Sequence, residues 1–580
     1  MKKLTKLLFS LLLLSAFTIT HADKPGCWDS CCNDCCWDSC CNDCCWDSCC
    51  GNRGKSCCPC ECTVQSRSTF VIRPQFQVGS PEYLTAYRDR MDAAGECGRG
   101  GALQVVLFGG RSTKPGKLAS FFTPDCKTCL LAKSNNLDCK TDLIIQHFNI
   151  DFECNGILND LRNTKDVQEC DPVFESTICF CPRVKTFGLG LTYRQNLNKL
   201  RDCYDPCERH IWLEISTPLT RVETTMGLTE RVTSTETIGL KPNVVEGLDQ
   251  TFYTNMKDAF RQSAWKYGKI NGCCGCSETR LGDISLMLGW ETAKCDSCIL
   301  EGYFGFLIPT GNKRCGTYVF EPMVGHDRHW GIIKGFHLRV DLWEDEDCCR
   351  KLEIAHDSHG LYLFKKEEMR SFDLKCKPWS RYMEVYKNKE QAEMADSDIL
   401  TPVARALLST PGINVFTKCL CVRPKLSITL NTAAIYSSPR FRAELGYNFY
   451  AKQAECVELC NWNETAALKD AFGSGITNRF RTINVNASID PEVDRPPCDP
   501  CAAGRGIDKY EENVIKKSDI DLESATHPGY FSNTLYGSIG TRRDCKERPI
   551  FVDIGASYEF GCENVVLNRW TAWAKFGASF

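Results

Sequence analysis

The sequence predicts an all-β protein, a transmembrane antiparallel β-barrel of about 16 strands with a cysteine-rich N-terminal arm. Three observations support this prediction. Apolar and polar residues alternate over long stretches of the chain. The chain begins with an export signal, and no later apolar run reaches the roughly 18 residues that a membrane-spanning helix needs. The last residues form an alternating stretch that is rich in aromatic side chains.

The alternation has the period of β-strands and extends over segments of about 9–12 residues, a length that crosses a bilayer when the strand is tilted. Phe441 and Leu445, for example, lie on the face opposite to Arg442 and Glu444. Counted back from the C-terminus, the predicted strands are 570–580, 549–560, 532–541, 440–451, 425–436, 373–385, 360–367, 331–343, 316–324, 300–309, 283–291, 210–222, 184–195, 143–153, 102–110 and 68–77.

Export is predicted by residues 1–22. Lys2, Lys3 and Lys6 form a positive start, an apolar stretch follows, and Ala22 supplies a small residue for cleavage. The domain organisation is therefore a signal peptide over 1–22, a cysteine-rich arm over 23–64 and a barrel over 65–580.

Composition limits the classes of function. The chain has 580 residues, with 70 Lys and Arg against 73 Asp and Glu, so no basic excess points to a nucleic-acid partner. The 42 cysteines are typical of an exported, oxidised protein rather than a cytosolic enzyme.

The arm contains a repeated nonapeptide, CWDSCCNDC, that begins at Cys27 and again at Cys36. Such a sequence cannot form a hydrophobic core, so disulfides or metal ions must order it. We favour an intermolecular cross-linking arm, and a metal-storing arm and a self-contained disulfide knot remain alternatives. The repeat cysteines are Cys27, Cys31, Cys32, Cys35, Cys36, Cys40, Cys41, Cys44, Cys45, Cys49 and Cys50.

The C-terminal stretch begins at Trp570 and carries aromatics at alternate positions, including Phe576 and the terminal Phe580. It resembles the assembly signal of Gram-negative outer-membrane barrels. The resemblance implies location in the cell outer membrane, contact with its lipid and recognition by the barrel-assembly machinery, with Phe576 and Phe580 as the signal. With periplasmic termini, the segments 386–424 and 452–531 are extracellular loops and the arm lies beneath the barrel.

Short motifs in the centre of the chain resemble porin-like families that carry small solutes. They are Leu281-Gly-Asp-Ile284, Ile308-Pro-Thr-Gly311, Phe320-Glu-Pro322 and Gly325. Cysteine richness in such a barrel is similar to the major outer-membrane proteins of chlamydiae, which implies disulfide links to copies of itself or to other envelope proteins.

These observations predict a passive channel that needs no cofactor and catalyses no reaction. Its selectivity would be set by the charged residues on the predicted lumen face. They are Arg194, Glu214, Arg339, Asp341, Arg442, Glu444, Asp553 and Lys575. The main alternative is a structural coat or surface adhesin anchored by a closed barrel. An enzyme that uses His326 and His329 ranks third, because no nucleophile elbow or HExxH motif accompanies them.

Two pairs of cysteines form a candidate metal-binding motif. Cys273-x-x-Cys276 and Cys295-x-x-Cys298 have the spacing of a zinc ribbon. The predicted strand 283–291 would place the two pairs on opposite sides of a membrane, so we expect that they do not share a metal ion.

Overall fold

The computed structural model describes residues 64–87, 100–133, 143–144, 174–200, 209–235, 255–295, 297–345, 350–375, 378–382, 384–388, 390–391, 409–460, 462, 465–467, 514–545 and 548–580. The predicted signal peptide and the arm up to residue 63 lie outside these ranges, as do all the repeat cysteines. Within the described ranges, none of the helices is long and apolar enough to cross a membrane.

Twelve antiparallel strands close into a barrel in which every strand pairs with its neighbours in the chain and the last pairs with the first. A thirteenth strand of the same sheet, Cys276–Leu281, pairs only with the third barrel strand. We number the barrel strands β1 (Gly101–Ser112), β2 (Arg183–Asn196), β3 (Ile211–Thr225), β4 (Ile284–Cys295), β5 (Cys298–Ile308), β6 (Gly331–Glu344), β7 (Lys351–Leu363), β8 (Lys425–Ser437), β9 (Arg442–Lys452), β10 (Tyr530–Cys545), β11 (Arg548–Phe560) and β12 (Arg569–Ser579).

The wall has an apolar outer face and a polar inner face, because side chains alternate along each strand. On β9, Leu445 is 72% exposed, whereas its neighbour Glu444 is only 6% exposed. Large apolar side chains also point outward on the other strands, for example Phe187 on β2 and Leu535 on β10. An outward apolar band around a closed barrel is the arrangement that contacts lipid.

The two ends of the barrel differ. At one end, which we call the turn end, short connections such as 296–297, 438–441 and 546–547 join the strands. At the other, which we call the loop end, long connections carry the additional secondary structure. The longest of these are 113–182, 226–283, 364–424 and 453–529.

The small sheets and helices of the loop end form what we call the loop cap. Its strands are Cys129–Lys133, Leu143–Ile144, Phe174–Cys179, Thr229–Thr235, Cys276–Leu281, Lys366–Ser371, Asp373–Leu374, Glu384–Tyr386, Ser409–Pro411, Thr417–Arg423, Cys456–Leu459 and Ile520–Asp521. Its helices are Pro115–Phe122, Met256–Ala259 and Gly412–Val415, with 3-10 turns at Pro124–Cys126, Ser380–Tyr382, Lys517–Asp519 and Leu522–Ala525. A core that includes Phe121, Phe260 and Trp379 holds them together.

The fold class is confirmed, but the predicted strand number is wrong: the wall has 12 strands instead of about 16. The segments 316–324 and 373–385 belong to loop-end connections, and 360–367 corresponds to the end of β7. Of 143–153, the structure describes only the short strand Leu143–Ile144, which lies in the loop cap. The fourth surplus segment, 68–77, lies inside the barrel.

Candidate functional site: a chain segment in the barrel lumen

Residues 68–87, which we call the lumen segment, run through the inside of the barrel from the loop end. Just before it, Val64 N–H donates to Asn564 Oδ1 at 3.3 Å and Ser66 N–H donates to the Thr123 carbonyl at 3.0 Å, both in loop-end connections. At its other end, Tyr87 accepts a hydrogen bond of 2.6 Å from Arg194 Nη1. The chain therefore crosses the lumen before β1 begins at the turn end.

Polar contacts hold the middle of the lumen segment against the wall. Arg73 pairs with Glu559 of β11 at 3.3 Å, and Arg569 Nη1 donates to the Arg73 carbonyl at 2.8 Å. Gln75 Nε2 donates to Thr571 Oγ1 of β12 at 2.7 Å. Because these groups are buried, their hydrogen bonds and ion pair offset part of the loss of hydration.

A glycine on β2 makes room for an aromatic side chain of the lumen segment. The Phe76 ring stacks on Phe108 of β1 with ring centroids 5.8 Å apart. A Cβ added to Gly190 would lie 2.3 Å from the Phe76 ring, far closer than carbon atoms can approach. The absence of a side chain at Gly190 thus leaves the space that the Phe76 ring occupies, and a larger residue there would displace the ring.

Two cavities remain beside the lumen segment. One has an empty volume of about 540 Å³ and lies against β3 and β4, with Ser216 and Asp283 in its lining. The other, of about 630 Å³, lies toward β8 and β9 under the loop cap and is lined by Arg314 and Lys452 among others. Both are also lined by residues 72–74 of the lumen segment.

A buried ion network joins three loops above the lumen segment. Arg370 pairs with Glu455 at 2.6 Å and with Glu368 at 2.9 Å, and Glu368 also contacts His329 Nε2 at 2.6 Å. Burial alone would raise the pKa of Glu368, but Arg370 and the hydrogen bond with His329 hold that pKa well below its usual value. The network therefore keeps its carboxylates charged and fixes the loops to one another.

The eight charges predicted to line the pore all lie on barrel strands, in a lumen that the chain itself occupies. Asp341, near the turn end, pairs with Lys351 at 2.5 Å and has a side chain that is 23% exposed. Seven are between 0% and 7% exposed, namely Arg194, Glu214, Arg339, Arg442, Glu444, Asp553 and Lys575. Whether they line an open passage stays a prediction.

Contacts of these charges explain their burial. Arg194 pairs with Glu301 of β5 at 3.3 Å, and its guanidinium lies 3.8 Å over the Trp212 ring. Arg442 pairs with Glu444 at 2.6 Å and with Asp553 at 3.4 Å. The structure thus places oppositely charged side chains together inside the barrel, where each stabilises the other.

The two predicted assembly residues lie at the closing seam between β1 and β12. The Phe576 side chain points outward and is 50% exposed. The Phe580 backbone exchanges two hydrogen bonds with Gly101, of 2.8 and 2.9 Å, so the terminal residue completes the seam.

The two pairs of cysteines with zinc-ribbon spacing lie at opposite ends of the barrel. Cys273 and Cys276 belong to the loop end, whereas Cys295 and Cys298 form a disulfide at the turn end. The strand β4 between them, with 12 residues, spans roughly 40 Å at about 3.3 Å per residue. The two histidines of the enzyme alternative lie in loop-end connections, where His326 contacts Asp283 and His329 contacts Glu368.

Sequence reasoning missed the lumen segment, although two signals were present. Pro74, Gly79 and Pro81 interrupt it, and these residue types are rare inside central strands. No cysteine occurs between Cys62 and Cys97, in a chain with 42 of them.

His527 gives the loop cap a predicted pH dependence. Its ring packs 5.0 Å from Phe70, and burial and then Lys452 lower its pKa to about 3, from an ordinary value near 6.5. A histidine with a lowered pKa does not affect stability above about pH 6.5, and it destabilises the fold increasingly as the pH falls from 6.5 toward 3, because only the unfolded state then binds the proton. At pH 5 we expect this effect of His527 to lower the free energy of unfolding by about 2 kcal/mol.

The test compares urea unfolding of the wild type and H527F, followed by intrinsic fluorescence, at pH 7 and pH 5. The comparison isolates His527 from Asp327, whose pKa burial raises to about 6 and which acts in the opposite direction. H527F should lose less stability on acidification than the wild type, and equal losses would contradict the assignment.

No family model matches the sequence, and no curated protein matches it significantly. Among solved structures, the barrel is similar to an outer membrane channel from Pseudomonas putida F1, with 8% identity, a TM-score of 0.32 and coverage of 83% of this chain and 96% of that one. It is also similar to the transport unit of the autotransporter AIDA-I from Escherichia coli, with 6% identity, a TM-score of 0.31 and coverage of 87% and 99%.

A Pseudomonas aeruginosa FadL homologue is similar at 7% identity and a TM-score of 0.25, with coverage of 85% of this chain and 92% of that one. Identities and TM-scores this low carry no argument about the function of this chain. The fold assignment depends on the strand pairing described above.

Proposed function

We propose that the protein is an outer-membrane channel for the passive diffusion of small solutes, and that the lumen segment closes it. Passage then requires the lumen segment to move aside. The apolar outer face of the barrel supports insertion in the outer membrane, by way of the barrel-assembly machinery. The proposal includes no catalytic step and no cofactor.

The absence of any covalent tie between the lumen segment and the wall is the observation that carries this proposal. Residues 63–96 contain no cysteine, although the chain has 42. The polar contacts of Arg73, Gln75 and Tyr87 can be replaced by contacts with water when the segment moves. A segment meant only to fill the barrel permanently would gain from a disulfide that this chain could readily supply.

The wall charges define the expected selectivity. With the lumen segment displaced, Arg194, Arg442 and Lys575 would face water together with Glu214 and Asp553. Because both signs are present, we propose weak ion preference and selection mainly by size.

Disulfide cross-linking through the arm is also a proposal. The expectation that the arm lies beneath the barrel depended on 68–77 as the first wall strand, and that assignment is wrong. Val64, the first described residue after the arm, contacts Asn564 at the loop end. We propose that the arm cysteines link copies of the protein to one another or to other envelope proteins.

A structural coat or adhesin anchored by a closed barrel remains the second candidate. The filled lumen and the loop cap favour it, since the ion network around Arg370 joins three of the loops rigidly. In that case the lumen segment would never move.

Substitutions at the contact between Gly190 and Phe76 distinguish the channel from the structural coat. We expect G190A to displace the Phe76 ring and to raise the channel's open probability several-fold in planar bilayers. G109A is the matched control, because the Cβ added to this outward-facing glycine lies 3.7 Å or more from other atoms.

Heat-modifiable gel mobility must first show that both variants form barrels. F76A, which removes the ring rather than crowding it, should also increase opening. Wild-type behaviour of both G190A and F76A in folded barrels would favour the coat.

A further inference from the structure

Four cysteines lie together on the outer face of a three-stranded sheet in the loop cap, formed by Lys366–Ser371, Thr417–Arg423 and Cys456–Leu459. Cys421 is directly opposite Glu367 on one side and Glu458 on the other, and Arg423 is opposite Cys456. Residues opposite each other in antiparallel strands point to the same face. Leu420 and Leu459 fill the other face, which is buried. We call Cys419, Cys421, Cys456 and Cys460 the cysteine face.

The cysteine face combines a disulfide with thiols. Cys421 and Cys460 are bonded to each other, whereas Cys419 and Cys456 are outside disulfides. The Cys419 Sγ lies 3.5 Å from Glu367 Oε2. Burial and this carboxylate raise the pKa of the Cys419 thiol. Because only a thiolate attacks a disulfide, the raised pKa disfavours attack of Cys419 on the Cys421–Cys460 bond.

This disulfide is accessible from outside, unlike another at the same end. Cys460 is exposed and Cys421 is half-buried. In the Cys129–Cys179 disulfide, by comparison, Cys179 is only 5% exposed. The third disulfide between described residues, Cys295–Cys298, lies at the turn end.

Candidate nucleophiles lie on several connections of the same end. Cys273 and Cys274 precede β4, Cys315 lies between β5 and β6, and Cys562 follows β11. All four are exposed and outside disulfides. Copies inserted into one membrane share one orientation, so these thiols and the cysteine face of a neighbouring copy lie on the same side of the membrane.

We propose that the Cys421–Cys460 disulfide is the acceptor through which a second copy of this chain attaches covalently at the loop end. A thiolate of the second copy attacks the exposed Cys460 Sγ and forms a new intermolecular S–S bond. The Cys421–Cys460 bond breaks, and Cys421 leaves as a thiolate that takes a proton from water. Thiol–disulfide exchange conserves the number of disulfides, so no external oxidant is needed. The inference rests on the proposed outer-membrane placement and names the partner and the site of cross-linking.

Isotope mixing tests this directly. Cells that express the protein are shifted from ¹⁴N to ¹⁵N medium, so that one membrane holds both isotopic forms. They are then treated with a thiol-blocking reagent, and linked peptides are identified by mass spectrometry without reduction. We expect peptides in which Cys460 is joined to a loop-end cysteine of the other isotope. Links from Cys460 only to a different protein, or no links from Cys460 at all, would overturn the proposal.

A matched pair of variants adds a second measurement. Because the arm cysteines are also proposed to link copies, both variants are made in the protein without residues 23–62. There C421S/C460S should reduce the disulfide-linked dimer on non-reducing gels several-fold, whereas C295S/C298S, which removes the turn-end disulfide, should leave it unchanged. Equal dimer in both variants would contradict the proposal. The peptide map on the unaltered protein decides the question even where C421S/C460S fails to fold. Conductance of C421S/C460S should equal that of the wild type, so a failed channel and a failed acceptor site give different results.

Discussion

Liposomes that contain the protein without residues 23–87 should swell many-fold faster in small sugars than liposomes that contain the full mature chain. This deletion removes the arm and the lumen segment and leaves β1 to β12 intact. Barrels of about 8 strands are filled by side chains, whereas those of about 16 enclose a water-filled channel. A 12-stranded barrel lies between them, and here a chain segment takes up the additional space.

The control for this deletion removes the arm alone, residues 23–62. It keeps the contacts of Arg73, Gln75 and Phe76 with the wall, so swelling should stay as slow as with the full mature chain. Fast swelling after removal of the arm alone would show that the arm, and not the lumen segment, closes the barrel. Slow swelling after both deletions would show that the lumen stays closed by its own wall and loop cap.

Assembly should fail when the terminal aromatic ring is removed. We expect F580A to reach the outer membrane in several-fold lower yield than the wild type, with export across the inner membrane unchanged. The variant keeps both backbone hydrogen bonds between residue 580 and Gly101, so it separates the ring from the seam. Deleting Phe580 removes both and should have an equal or larger effect.

F441A is the control for this loss. Phe441 is an outward aromatic side chain, 45% exposed at the turn end, but it is not at the terminus. Membrane fractionation and heat-modifiable mobility should show normal F441A and depleted F580A. Normal yields of both would show that the terminal Phe is not the assembly signal.

The wall could be predicted from the sequence because lipid on one side and a polar interior on the other enforce alternation along a strand. On β9, for example, the apolar Leu445 points outward and the charged Glu444 points inward. The same contrast identified β11 and β12 to within a few residues. The long loops at one end followed from the antiparallel order of the strands.

The lumen segment could not be recognised in this way. Alternation reports an extended chain and a difference between its faces, but it does not report what surrounds the chain. Residues 68–77 form no strand and bend at Gln75 and Phe76, yet they contact the wall, and Phe76 packs on Phe108 as a strand residue would pack in a core. Removing this one segment from the predicted wall moves the start of the barrel to Gly101 and places Val64 at the loop end.

The sequence also could not show whether the inward charges are hydrated or paired and buried. Arg442 and Asp553 are 111 positions apart, and the pairing of β9 and β11 with β10, on either side of Gly540, brings them to 3.4 Å. A pattern of inward charges predicts equally well a hydrated pore and a set of buried ion pairs. The packed interior follows from the lumen segment, which the pattern does not reveal.

Single-channel recording of the full mature protein in a planar bilayer tests most directly whether the lumen segment closes a channel. We expect long closed intervals interrupted by openings, with the same conductance in the open state as the protein without residues 23–87 shows continuously. A wild type that never opens, or that opens only to a different conductance, would contradict it.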